Sequence, residues 1–147
     1  MIEGQIADLL LAEEGVYGVL ALYDFGDGAD RPAIFAGEDE PPDSADNPCI
    51  AIGFEADSPN DESRAARGAD AVYAVTTRWD KESSPKVRRD HAFLIWKALS
   101  HATVTPDESL GLEDAVLACS LPGRVTDAEG FPGHELTVTT TLTEAVG

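Results

Sequence analysis

The chain is short of basic residues, of cysteine and of long apolar runs, and each shortage excludes a class of protein. Ten Lys and Arg stand against 28 Asp and Glu in 147 residues, a formal net charge of −18. A field of that sign works against nonspecific nucleic-acid binding and against anionic membrane surfaces over most of the molecule. Two cysteines make no disulfide scaffold. The longest uncharged apolar stretch, Gly15–Tyr23, is far too short to span a bilayer. The opening Met1-Ile2-Glu3-Gly4-Gln5 has neither a basic n-region nor a small-residue cleavage site, so no secretory signal is expected. What is present is 43% hydrophobic residues, enough for one domain around one core.

The charge is unevenly placed. Residues 1–63 carry 16 acids and a single base, Arg31. Residues 64–97 carry eight of the ten bases against four acids, and residues 98–147 carry eight acids against one base. Two readings of the excess stand side by side. One is a high-salt environment, in which a Debye length of about 3 Å at 1 M screens self-repulsion; the three Lys and the slight excess of Asp over Glu fit it. The other is an ordinary acidic protein kept soluble by its charge. The segregation itself suggests complementary faces.

Periodicity predicts the elements. Ile2, Ile6, Leu9 and Leu10 follow a helical period over 2–13, with Gly15 as the stop. Val16–Phe25 reads as a strand, and the turn 26–30 leads into a second strand at Pro32–Ala36. Residues 37–48 and 55–69 read as polar loops flanking a short strand at Cys49–Phe54. Ala71–Trp79 alternates as a strand, with Tyr73, Val75, Thr77 and Trp79 on one side. Ser84-Pro85 is an N-cap followed by proline at the first helical position, opening a helix to about His101. Ala115–Leu121 is a strand, Pro122–Gly133 a turn-rich loop, and His134–Leu142 a half-exposed antiparallel strand. The fold class expected is α+β: a single domain with a mostly antiparallel sheet of roughly five to six strands and two main helices.

Motifs for chemistry are missing. There is no GxxxxGK[ST] phosphate loop, no GxGxxG after a strand and no GxSxG elbow. Asp24, Asp27 and Asp30 invite a calcium reading, but Gly26 and Gly28 stand where ligands belong, so a solvated acidic turn is expected. His91, His101 and His134 form no zinc spacing. His91 falls on the apolar stripe of its helix and reads as a hydrogen-bonded core histidine. Cys49 and Cys119 lie in two predicted strands that could face each other, although buried reduced thiols are the default. No catalytic, cofactor-binding or metal-binding residue is assigned.

The anomaly is the start of the second long helix. Lys86, Arg88 and Arg89 occupy its first turns. A helix N-terminus carries partial positive charge, and each cation there costs a few tenths to about 1 kcal/mol at low salt. Either these side chains reach back over local acids such as Asp80 and Glu82, or they meet an acidic partner surface. The nearest candidate surface is the loop with Glu38, Asp39, Glu40, Asp43 and Asp46 on a second copy of the chain. Such a head-to-tail contact closes into a ring when the rotation allows.

The order of elements supports a family resemblance. An amphipathic helix and an irregular stretch precede the strand Asn47-Pro48-Cys49-Ile50-Ala51-Ile52-Gly53. The strand Val72–Trp79 then leads through a polar turn into the helix Pro85–Leu99, and two last strands flank a loop with Asp127, Gly130, Gly133 and His134. This succession, over most of the chain, resembles the tail-completion or tail-terminator proteins of long-tailed phages and related viruses. The resemblance implies a virion structural protein that is not an enzyme and needs no cofactor. It implies a ring, usually a hexamer, that caps the tail tube and joins it to the head-closure connector. The expected partners are other copies of the chain, the tail-tube protein and the connector protein; genomic DNA only passes through the lumen, and no membrane is involved. The expected location is the neck of the virion, after assembly in the host cytoplasm. A different neck or head-closure connector, or a small halophilic enzyme or ligand-binding domain, are the alternatives.

Overall fold

The computed structural model describes residues 2–59, 69–106 and 111–143. The chain runs through α1 (Ile2–Leu11), the one-turn helix α2 (Glu14–Tyr17), β1 (Leu22–Asp24), β2 (Asp30–Pro32), β3 (Ile34–Ala36) and β4 (Cys49–Pro59). It continues with β5 (Ala69–Arg78), α3 (Pro85–Leu99), β6 (Thr103–Val104), β7 (Ala115–Cys119), β8 (Gly123–Thr126) and β9 (Pro132–Leu142). Seven strands form one sheet in the order β3-β4-β5-β9-β7-β6, with β8 paired to β9 beside β7. Among the described residues, only β3–β4 is parallel. β1 and β2 form a separate hairpin. The described residues form an α+β fold, one domain with a mixed sheet and three helices.

Alternation along the strands decides which face is covered. Ile50 and Ile52 of β4, Tyr73 and Val75 of β5, Leu117 of β7, and Leu136 and Val138 of β9 point to one side. There they join Ile6 and Leu10 of α1 and Ile95 and Leu99 of α3 in the main core. Residues one step out of phase point the other way. Phe35 and Cys49 belong to a small second cluster with Ala33 and Ala45, against which Tyr23 packs. The helices therefore cover one face of the sheet, and the hairpin and the 37–48 loop cover part of the other.

Several expected boundaries are corrected. Val16–Phe25 is not one strand: Gly15 sits inside α2 instead of ending the first helix, Val16 is buried, and only Leu22–Asp24 is extended. Of the two β-branched residues that suggest a strand, Val16 packs from α2 into the main core, whereas Val19 lies beyond α2 and is exposed. Pro32–Ala36 splits at Ala33, where the chain passes from the hairpin into the main sheet. The α3 helix ends at Leu99 rather than His101, because Ser100 turns to an extended backbone, φ −62° and ψ 125°, and His101 follows in a left-handed one, φ 65°. Within the expected 55–69 loop, 55–59 continue β4 and Ala69 begins β5; the remainder lies outside the described residues. The expected loop Pro122–Gly133 contains β8, which pairs Gly123–Thr126 with Glu135–Pro132. Its turn is closed by Asp127, whose Oδ1 accepts from the amides of Glu129 (3.0 Å) and Phe131 (2.8 Å), with Gly130 at φ 89°.

Candidate functional site: two surfaces of opposite charge

The basic residues at the start of α3 divide by helical geometry. At about 100° per residue, Arg88 falls on the same side as the buried His91, Ala92 and Ile95, whereas Lys86 and Arg89 face outward with Phe93 and Lys97. Arg88 is half-buried, and its Nη1 donates to the carbonyl and hydroxyl oxygens of Ser83. Lys86 Nζ donates to Asp90 Oδ2 at 2.7 Å, and Arg89 Nε lies 3.8 Å from Asp90 Oδ1. The hydrogen bond from Lys86 holds the Asp90 carboxyl below its ordinary pKa, with the charges of Lys86 and Arg89 adding to it. The local counter-acid is therefore Asp90, one turn into the helix, and not Asp80 or Glu82. Asp80 instead accepts from Asn47 Nδ2 at 3.3 Å.

Arg88 and Arg89 have a third basic neighbour that the sequence left unconnected. β8 pairs Arg124 with His134, which places the two side chains next to each other on the helix-covered face. His134 is buried and its Nδ1 has no partner. Burial, then the fields of Arg88, Arg124 and Arg89, lower its pKa from 6.5.

The acids of the 37–48 loop divide as well. Asp39, Glu40 and Asp43 line a cleft of about 350 Å³ on the helix-free side of the sheet. The opposite wall brings Asp127, Glu129 and Glu135, so six carboxylates converge there. Glu38 instead lines a separate pocket of about 470 Å³ with Tyr23, Asp24, Phe25 and Phe35. Asp46 is exposed and lines neither. Among the described residues, no ion pair joins Lys86, Arg88 or Arg89 to any of these loop acids within one chain. Asp127 and Glu129 fall in the stretch that reads as loop, and Glu135 in the strand His134–Leu142 with nothing in the sequence to set it opposite the 37–48 loop; the turn at Asp127-Ala128-Glu129-Gly130 is the available hairpin signal.

Part of the basic surplus lies inside the fold. Arg78, at the end of β5, is buried; its Nε donates to Asn47 Oδ1 at 2.7 Å and its Nη2 to Ala45 O at 2.8 Å. That guanidinium ties the acidic loop to the sheet. It also lies 5.6 Å from the centre of the Phe131 ring, with Lys81 Nζ at 5.2 Å.

The remaining candidates take structural places. His91 Nε2 meets Val16 O at 2.9 Å, and its ring stands edge-on to Trp79 at 5.4 Å, the core role expected of it. Asp24 Oδ1 accepts from the amides of Gly26 (2.8 Å) and Gly28 (3.1 Å), and Asp27 Oδ1 from Ala29 (3.1 Å), so these carboxylates close the hairpin turn. Cys49 and Cys119 do not face each other. β5 and β9 lie between their strands, a separation of roughly 14 Å at about 4.8 Å per strand, and a disulfide needs Cα atoms within about 7 Å. Burial pushes the Cys49 thiol up to about 11 against the opposing charge of Arg78. Neither thiol has the electropositive, accessible setting of a nucleophile. No helix among the described residues is long and apolar enough to cross a membrane.

Comparison of the chain with protein-family models and with curated proteins returns no match.

Proposed function

We propose that this protein is a virion structural subunit of the tail-terminator or tail-completion type. Copies associate into a ring, taken to be a hexamer, that caps the tail tube and joins it to the head-closure connector. One observation carries the self-assembly part of this reading. A net charge of −18 is sorted so that bases project from α3 on one side of the sheet while acids converge on the other. Opposite charges on opposite sides of one small domain suit a head-to-tail contact between identical copies. The order of elements supports the assignment to a tail. An acid-lined channel would repel passing DNA, in keeping with a conduit and not a DNA-binding site. No residue is given a catalytic role.

Deleting the gene from its virus tests the assignment. Tails of irregular, excessive length that fail to join heads are expected. Tails of normal length on complete particles exclude a terminator, and normal tails without attached heads favour the head-closure alternative.

The six-carboxylate cleft favours one second reading, a domain that binds a small cationic ligand. Its aromatic wall, Phe131, already lies against Arg78 and Lys81. Saturable binding of a polyamine that Glu129→Gln with Glu135→Gln abolishes would support it, and no binding in low salt would remove it.

A further inference from the structure

We infer that the open edge of β8 takes up an extended acidic segment of another protein as an added strand. The inference stands apart from the tail assignment. Hydrogen-bond phase defines the edge. Asp127 N donates to Phe131 O at 3.0 Å across the turn that joins β8 to β9. Pairing alternates along an antiparallel ladder, so Val125 and Gly123 turn their peptide groups to Gly133 and Glu135 of β9. Arg124 and Thr126 turn theirs away from β9, each offering an amide and a carbonyl. β7 lies on the same side of β9, but its outer edge is taken. Leu117 O accepts from His101 N, Leu117 N donates to Ala102 O, and β6 pairs with Ala115 and Val116. Among the described residues no strand pairs with the outer edge of β8, and Gly123, Arg124 and Thr126 are exposed.

The charge beside this edge is positive in a chain whose excess is negative. Arg124 is the one base in residues 98–147, and it stands on the edge itself. Among the described residues its guanidinium has no hydrogen bond or ion pair. The charges of Arg88, Arg124 and Arg89 all act on His134, with no carboxylate among the described groups offsetting them, so the three guanidinium groups share one neighbourhood. Arg88 is tied to Ser83, which leaves the exposed Arg124 and Arg89 for a ligand. Asp90, the acid near Arg89, is already held by Lys86 at 2.7 Å. Glu13 lies with Leu94, about 140° around α3 from Arg89. Proteins blunt exposed edges with charge, which repels strands of like sign. A cation on the edge of a −18 chain invites an acidic strand instead.

The two faces of the sheet set the pattern of the added strand, whose side chains alternate between them. On the helix-covered face they meet Arg124 and Arg89. On the other lies the cleft with Asp127, Glu129 and Glu135, which repels carboxylates. The segment that fits therefore carries acids at every second position with neutral residues between. A nucleic acid does not fit: a phosphodiester backbone has no donor for the outward carbonyls of Arg124 and Thr126. A second copy of this chain does not fit either. Its acids two positions apart are Glu38 and Glu40, Glu55 and Asp57, Asp80 and Glu82, and Asp127 and Glu129. The first pair lies in the 37–48 loop, the second in β4, which is already paired with β5, and the last two in turns.

The test is a titration of the full, isotope-labelled chain with capped six-residue peptides, followed by amide NMR. A peptide alternating Thr and Glu is expected to bind saturably, to shift the Arg124 and Thr126 amides most and to slow their exchange. The Val125 amide, already bonded to β9, keeps its exchange rate. Lys in place of Glu is expected to weaken binding at least about tenfold by reversing the charge. N-methylation of the alternating peptide throughout keeps its charge, removes every donor and is expected to cost as much. A peptide of Glu alone is expected to bind more weakly than the alternating one despite its greater charge. Arg124→Glu and Thr126→Pro are each expected to weaken binding at least about tenfold, the second by removing only an outward N–H. If Thr126→Pro disturbs β8, Arg124→Glu, a change at an exposed side chain, gives the same readout. Four results each overturn the inference: affinity that follows peptide charge alone, an oligothymidylate that shifts the same amides as strongly, no saturation below about 1 mM, or self-association of the free chain that slows exchange at Arg124 and Thr126.

Discussion

Arg78 donates its Nε proton to Asn47 Oδ1 across 2.7 Å, from the end of a central strand to the last turn of the acidic loop. With the second bond to Ala45 O, one buried cation holds the loop in place. Replacing Arg78 by Met keeps much of the stem and removes both bonds. A loss of about 2–4 kcal/mol is expected, because hydrogen bonds to a charged group contribute about 1.5–3 kcal/mol each and the orphaned acceptors are poorly hydrated. Denaturant unfolding reads the loss. Hydrogen exchange should speed up in residues 45–49 more than in α1. A variant as stable as wild type would show that the loop is held by something else.

Gly133 marks a close backbone approach. A Cβ there would overlap the Thr77 carbonyl oxygen, and backbone cannot move aside as a side chain can. Thr77 and His134 are also joined by a bond from His134 N to Thr77 Oγ1 at 2.9 Å. Gly133→Ala is therefore expected to cost at least the upper part of the ~1–3 kcal/mol range for overpacking. A melting temperature unchanged from wild type would contradict the contact.

Two buried histidines make stability pH-dependent in a defined direction. Burial depresses the pKa of His91 below 6.5, its ordinary value, against the opposing effect of its bond to Val16. His134 is depressed in the same sense. The unfolded chain therefore binds these protons at higher pH than the folded chain does. The contribution is complete above about pH 6.5 and declines as pH falls from there through the folded values. Stability should fall between pH 7 and pH 5, before most carboxylates titrate. His91→Gln should flatten the slope, and an unaltered slope in that variant would assign it to other groups.

The salt reading of the charge is open to direct measurement. If −18 reflects adaptation to high salt, the melting temperature should rise steeply as potassium chloride approaches molar concentrations, because screening at about 3 Å removes self-repulsion. A shallow response would return the acidity to a solubility role. Weakening of self-association by the same salt is the expected signature of a charged interface.

The long periodic elements were legible in the sequence. Leu136, Val138 and Thr140 alternate because β9 has one covered face, and Ser84-Pro85 opens α3 because a side-chain cap and a fixed φ suit its first turn. Gly15–Phe25 was misread because an apolar run of that length has the same composition as a buried helical turn or as a strand. β8 was missed because its four residues alternate too briefly to stand out. The charged residues were legible as types but not as pairs: Glu82 and Asp90 each stand four positions from Lys86, and only helix geometry brings Asp90 to its ammonium.

The sequence by itself determined the α+β class, the sign and segmental bias of the charge, and the core role of His91. Those depend on periodicity and composition, which are local. Tertiary structure decided which charges remain available. It buried Arg78, turned Arg88 inward, and separated Glu38 from Asp39 into different concavities. It also brought residues 127, 129 and 135 across from a hairpin roughly 90 residues away. A net charge is a sum over the chain, whereas a surface depends on which faces the pleat, the helical turn and the strand order leave open.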